Sequence, residues 1–120
     1  EKLSTPVCLD ESITCLQDAE TAVSLGSAKI FNLKPGRVGG IITLIKILQL
    51  AQESGIDCFI GGMLESSLGA SVNKTLAGLP GITRPSDLPD PTQRYKALPP
   101  QNFTETDLAP FIIEQTTIQA

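Results

Sequence analysis

The sequence has 120 residues, with nine Lys and Arg against thirteen Asp and Glu for a net charge of −4, 41% hydrophobic residues, and neither His nor Trp. That length suits one modest domain, and without histidine the chain alone supplies no Ser-His-Asp triad, Cys-His pair, His-bearing zinc site or imidazole shuttle. The acidic balance, the lack of a Lys/Arg cluster and an aromatic set of four Phe and one Tyr argue against a nucleic-acid partner.

Along the chain, short apolar runs alternate with helical patterns. The first run is Pro6-Val7-Cys8-Leu9, followed by a helix over 16–25 that Gly26 stops. The second is Lys29-Ile30-Phe31-Asn32-Leu33. From Ile41 onward, Leu44, Ile45, Leu48 and Ala51 keep helical spacing, with Thr43, Lys46, Gln49 and Glu53 on the other side, until Gly55 ends the helix. Asp57-Cys58-Phe59-Ile60 is the third run, a helix over 66–76 follows, and Gly81-Ile82-Thr83 is the fourth. The runs begin 23, 28 and 24 residues apart, the spacing of successive βα units, and their continuous apolarity suggests about four buried parallel strands in an α/β fold. Six of the nine prolines lie beyond Arg84, so residues 97–120 are expected to be a covering segment or tail, or a loop closing over a site.

Cys8, Cys15 and Cys58 form an odd set without a C-x-x-C spacing, so neither a disulfide framework nor a thiolate zinc site is expected, and a reducing cytoplasm fits best. Cys8 and Cys58 lie in apolar runs without a partner base and are expected to be buried, inert thiols. The most apolar stretch, 39–51, is interrupted by Lys46 and Gln49 and falls short of the roughly 20 residues of a membrane span, so no membrane partner is expected. The chain begins at Glu1 with no basic-then-apolar leader, which suggests a processed or excised piece of a longer protein.

In parallel βα architectures ligands lie at the carboxyl ends of the strands. Those ends carry Asp10-Glu11-Ser12, then Lys34-Pro35-Gly36-Arg37-Val38-Gly39-Gly40, then Gly61-Gly62-Met63-Leu64-Glu65-Ser66. A carboxylate such as Asp10 at the end of a buried strand needs a cation, a lysine or several N–H donors. Lys34 could compensate it, and so could a hard ion such as Mg²⁺, favoured over zinc where no His or thiolate is present; a helix N-cap or a plain ion pair is the alternative. Lys34 could point into the same mouth as an acid/base group, or be a solvated or salt-bridged lysine. Gly36, Gly39 and Gly40 match no phosphate-binding spacing and suit a tight helix start. Gly61 and Gly62 leave room for a substrate beside the adaptable Met63, or simply make a turn.

These three stretches, in order and at compatible spacing over about residues 4 to 96, resemble the C-terminal barrel half of the enolase superfamily. Within it they are most similar to the o-succinylbenzoate synthase and N-acylamino acid racemase group of the muconate cycloisomerase branch. The resemblance implies a partial TIM-type (β/α)₇β barrel, with the four runs as its fifth to eighth strands and residues 1–96 as the barrel half. It implies that Asp10 is the third carboxylate ligand of Mg²⁺ and that Lys34 is the sixth-strand lysine. That lysine stabilises an enediolate during synthase dehydration, in menaquinone or phylloquinone synthesis, or acts as acid and base in a racemase. Gly62 and Met63 would contact a small carboxylate substrate, and Glu11 would sit in an outer shell orienting Lys34 or the metal ligand. The K-x-K motif and the first two metal carboxylates are absent from these residues, so the segment alone is expected to be inactive. It is expected to join a complementary N-terminal barrel half or to self-associate. N-acylamino acid racemase or dipeptide epimerase activity is the enzymatic alternative, and a non-catalytic assembly module is the other.

Overall fold

The computed structural model describes residues 4–88 and 90. Strands and helices alternate as β1 Cys8–Leu9, α1 Leu16–Leu25, β2 Ile30–Leu33, α2 Ile41–Glu53, β3 Asp57–Ile60 and α3 Ser67–Leu76. The strands form one parallel sheet in the order β1-β2-β3. Cys8 and Leu9 lie opposite Ile30 and Phe31, and Phe31, Asn32 and Leu33 lie opposite Cys58, Phe59 and Ile60. The expected segment at 97–120 lies outside the described residues. No helix among the described residues is long and apolar enough to cross a membrane.

Strand alternation sends Phe31 and Leu33 of β2, with Cys58 and Ile60 of β3, to one face, where all four are fully buried. They share a core with Ala19 and Ala22 of α1 and with Leu44, Ile47, Leu48 and Ala51 of α2. Burying a side chain the size of Leu or Phe is worth about 1.5–3 kcal/mol, so this seam, rather than the propensity of an Ile-rich helix, holds α2. The seam differs from the expected stripe. Leu44, Ile47, Leu48 and Ala51 are buried at i, i+3, i+4 and i+7, whereas Ile41 and Ile45 are 44% and 38% exposed because they flank it. The opposite face carries Cys8, Ile30, Asn32 and Phe59, none of them fully buried. Cys58 is buried as expected, and burial pushes its thiol up to about 12. Cys8 is exposed, contrary to expectation, because β1 has no neighbour on its outer side among the described residues.

Helix ends follow local chemistry. At Gly26 the chain turns left-handed (φ 60°), which lets the Ser27 N–H reach back to the Ala22 carbonyl at 3.1 Å. Ser66 caps α3 by accepting the Gly69 N–H.

The fourth run departs most from expectation. Gly81-Ile82-Thr83 is no strand; instead residues 83–87 run beside β3 and form a single parallel bridge, Gly61 with Asp87. The Cys58 carbonyl accepts from the Thr83 and Arg84 N–H groups, and the Ile60 carbonyl accepts from Asp87. The matching donors on β3 are met by side chains, Cys58 N–H by the Thr83 hydroxyl at 3.2 Å and Ile60 N–H by the Ser86 hydroxyl at 3.1 Å. Pro85 has no N–H, so a regular ladder cannot form through it.

Asp57 fastens the start of this segment. It accepts the Thr83 hydroxyl at 2.7 Å and pairs with Arg84 at 2.6 Å. The Thr83 hydrogen bond, then the Arg84 guanidinium, hold its carboxyl below the ordinary value of 3.8. A carboxyl depressed by folding contributes stability above its unfolded value, and that contribution disappears as pH falls through the folded value. In the full-length protein, Asp57→Asn is therefore expected to lower the thermal midpoint at pH 7, with the difference from the parent narrowing as pH falls below 3.8. Melting curves at both pH values check this; a constant difference would contradict it.

Candidate active site at the carboxyl ends of the strands

Asp10 and Lys34 are the first residues after β1 and β2. Because the two strands are parallel neighbours, both residues leave the sheet at the same rim. The Lys34 ammonium donates to Asp10 Oδ2 at 2.8 Å, with the two side chains 13% and 26% exposed. Arg37 pairs with the other carboxylate oxygen, Oδ1. A tight turn brings it there: the Lys34 carbonyl accepts from the Arg37 N–H at 2.9 Å and the Val38 N–H at 3.1 Å, with Pro35 at the corner and Val38 buried behind.

Partial burial alone would raise the Asp10 carboxyl, but the hydrogen bonds from Lys34 and Arg37, with their charges, outweigh it and hold the group below its ordinary value. Burial first, then the Asp10 charge, raises the nearby Cys8 thiol. One carboxylate between two cations leaves the cluster net positive, which suits an anionic organic acid. Asp10 caps no helix: the N-cap of α1 is Cys15, and Asp18 meets the Thr14 N–H at 2.9 Å.

Gly61 and Gly62 continue from β3 to the same rim. The Gly61 N–H donates to the Leu33 carbonyl at 3.0 Å, one residue before Lys34, and the Gly62 N–H to the Asp87 carbonyl at 2.8 Å. Gly62 is half-buried and Met63 is 46% exposed. Asp10 and Lys34 thus meet directly, whereas of the glycine loop only Gly61 is tied to the end of β2, Gly62 being fastened to Asp87 and Met63 to Glu65. Glu11 lies exposed in the turn and pairs with neither Lys34 nor Asp10.

Two residues join the site that sequence reasoning gave no role. Arg37 had a legible signal, since it stands three residues past Lys34 across a Pro-Gly corner. Asn32 lies two residues before Lys34 and so on the same face of β2, and its Oδ1 is buried without a hydrogen-bond partner.

A divalent ion would need more than this set. Asp10 is a hard oxygen donor of the kind Mg²⁺ takes, but both its oxygens are engaged by cations. Among the described residues, no three His, Cys, Asp or Glu side chains form a group that could hold a metal. Asp10 by itself therefore makes no metal site among the described residues.

The fit of Gly61 against Asn32 is testable. A Cβ on Gly61 would fall 2.0 Å from Asn32 Oδ1 and 2.8 Å from its Cγ. Overpacking of this kind costs about 1–3 kcal/mol, so Gly61→Ala should lower the denaturation midpoint of the full-length protein. Adding Asn32→Ala should restore most of the loss, as chemical denaturation of both variants would show.

A family model described as "Enolase C-terminal domain-like" matches residues 1–116. An N-succinylamino acid racemase of Thermus thermophilus is 46% identical over 87 residues, covering 72% of this chain and 24% of that protein. An o-succinylbenzoate synthase of Bacillus subtilis is 46% identical over 86 residues, covering 72% of this chain and 23% of that protein. Among solved structures, a dipeptide epimerase from Enterococcus faecalis, complexed with Mg and the dipeptide L-Leu-L-Tyr, superposes with a TM-score of 0.67 at 36% identity, covering 72% of this chain and 25% of that one. The chain thus spans about a quarter of the length of the proteins it matches.

Proposed function

The chain belongs to the enolase C-terminal domain-like family, and from that premise we propose that it is the C-terminal part of the barrel of an o-succinylbenzoate synthase. Asp10 and Lys34 form one part of the active site, and Gly62 and Met63 form the substrate-contacting loop. The observation that carries this is the 2.8 Å contact between Asp10 and Lys34 at the ends of adjacent strands. It joins a carboxylate and an ammonium at one point on the rim where such barrels bind.

In this proposal Lys34 stands beside the substrate carboxylate, and its ammonium opposes the negative charge that develops when a neighbouring carbon loses a proton. Arg37 adds a second fixed positive charge on the same side. Asp10, together with carboxylates from the rest of the barrel, would hold a divalent ion, which would supply Lewis-acid stabilisation of the substrate acid; the dipeptide epimerase complex with Mg supports that choice of ion. The half-buried sheet face and the outer edge of β1 are covered by the complementary half of the barrel. The segment alone lacks the other groups and is inactive. A racemase or epimerase is the second reading, favoured by a relative of that name that matches at the same 46% identity. There Lys34 would exchange a proton with the substrate carbon.

Lys34→Ala in the full-length protein should lower turnover by about 10²–10⁴-fold while the protein stays folded with a lowered thermal midpoint, since Arg37 still pairs with Asp10. Assays of o-succinylbenzoate formation and of N-succinylamino acid racemisation identify which reaction is lost. Unchanged turnover in the variant, or no turnover of either kind in the parent, would favour a non-catalytic assembly module.

A further inference from the structure

The loop after β3 is fastened amide by amide. Gly61 donates to β2 and Gly62 to the segment at Asp87. The next amide, Met63 N–H, donates to the side chain of Glu65, at 2.6 Å from Oε1 and 2.8 Å from Oε2. Glu65 is itself held. Asn73 of α3, only 4% exposed, donates its amide to Glu65 Oε1 at 3.1 Å. The helix leaves the Glu65 stem a fitted space, since a Cβ on Gly69 would come within 3.0 Å of Glu65 Cβ and 3.1 Å of its Cγ. Three elements, β2, the 83–87 segment and α3, thus each fix one of three successive amides, and the third fixation runs through a carboxylate.

We propose that Glu65 is a positioning residue, which, steadied by Asn73 and the absence of a side chain at Gly69, sets the backbone at Met63 and so the shape of the substrate-contacting loop. This rests on the assignment of Gly62 and Met63 to substrate given above. A hydrogen bond to a charged acceptor is stronger than one to a neutral group, and it here replaces the strand pairing that ends at Gly61. With their N–H groups committed inside the protein, Gly61, Gly62 and Met63 offer a bound acid glycine Cα surface and the Met63 thioether rather than an amide cradle for an anion. Recognition of the charged carboxylate is thereby left to the Asp10, Lys34 and Arg37 cluster, and the loop meets the less polar part of the substrate.

The test uses the full-length protein and two independent readouts. In Glu65→Ala, hydrogen exchange at the Met63 amide should accelerate about 10-fold to 100-fold, as expected for loss of a charge-assisted bond. KM should rise in parallel with little change in kcat, since the reacting groups are elsewhere. Glu65→Gln retains an acceptor oxygen and should recover most of both effects. Gly69→Ala serves if Glu65→Ala folds poorly, because the added methyl favours the helix yet crowds the Glu65 stem. It should shift exchange and KM in the same direction. Unchanged exchange at Met63 in both alanine variants would overturn the proposal, as would altered exchange with unaltered KM. If the parent turns over neither substrate class, the functional assignment fails by itself, and exchange at Met63 alone still decides whether Glu65 sets the loop.

Discussion

A carboxylate at the mouth of a parallel sheet is tolerable only with cations beside it, and the next strand supplies two. Asp10 directly follows β1, Lys34 directly follows β2, and Arg37 returns over a Pro-Gly corner to the same carboxylate. This depends on topology more than on any single bond. Parallel neighbours joined through a helix bring their carboxyl ends to one rim, so residues 24 apart in sequence touch. The buried seam of α1, α2 and the sheet holds those ends in register.

Much of this was legible in the residues. Period-3.6 spacing located α2, Gly26 marked the end of α1, and Asp57–Ile60 gave β3 to the residue. Parallel order allowed Asp10 and Lys34 to converge but left a helix N-cap and a solvated lysine as alternatives, and the structure has the two paired. Other features were hidden for physical reasons. The fourth run failed as a strand because Pro85 lacks a donor and because Thr83 and Ser86 hydroxyls take the place of main-chain acceptors, a substitution that no apolarity pattern records. The exposure of Cys8 reflects the lack of a neighbour on the outer side of β1 among the described residues, a property of neighbours rather than of the run itself. On α2, Ile45 and Ile47 are alike in sequence, and only the helix packing angle decides that Ile47 is buried.

The site was legible in its charged groups and not in its supports. Glu65 and Asn73 act through polar contacts that reach to another element or across a turn whose geometry sequence does not specify, and Asn32 is marked only by an Oδ1 buried without a partner. Glu11 shows the converse: a place in an outer shell was expected for it, but it stands in the turn two residues past β1 and is exposed. Under the proposed function, charge at the rim and apolar contact in the Gly62–Met63 loop would together suit an organic acid with a less polar body.

The most direct measurement is a carbon-13 NMR titration of the Asp10 carboxyl in the metal-free full-length protein, repeated in Lys34→Met. The account predicts a midpoint below 3.8 that moves upward when the ammonium is removed. A midpoint at or above 3.8 that the substitution leaves in place would contradict it.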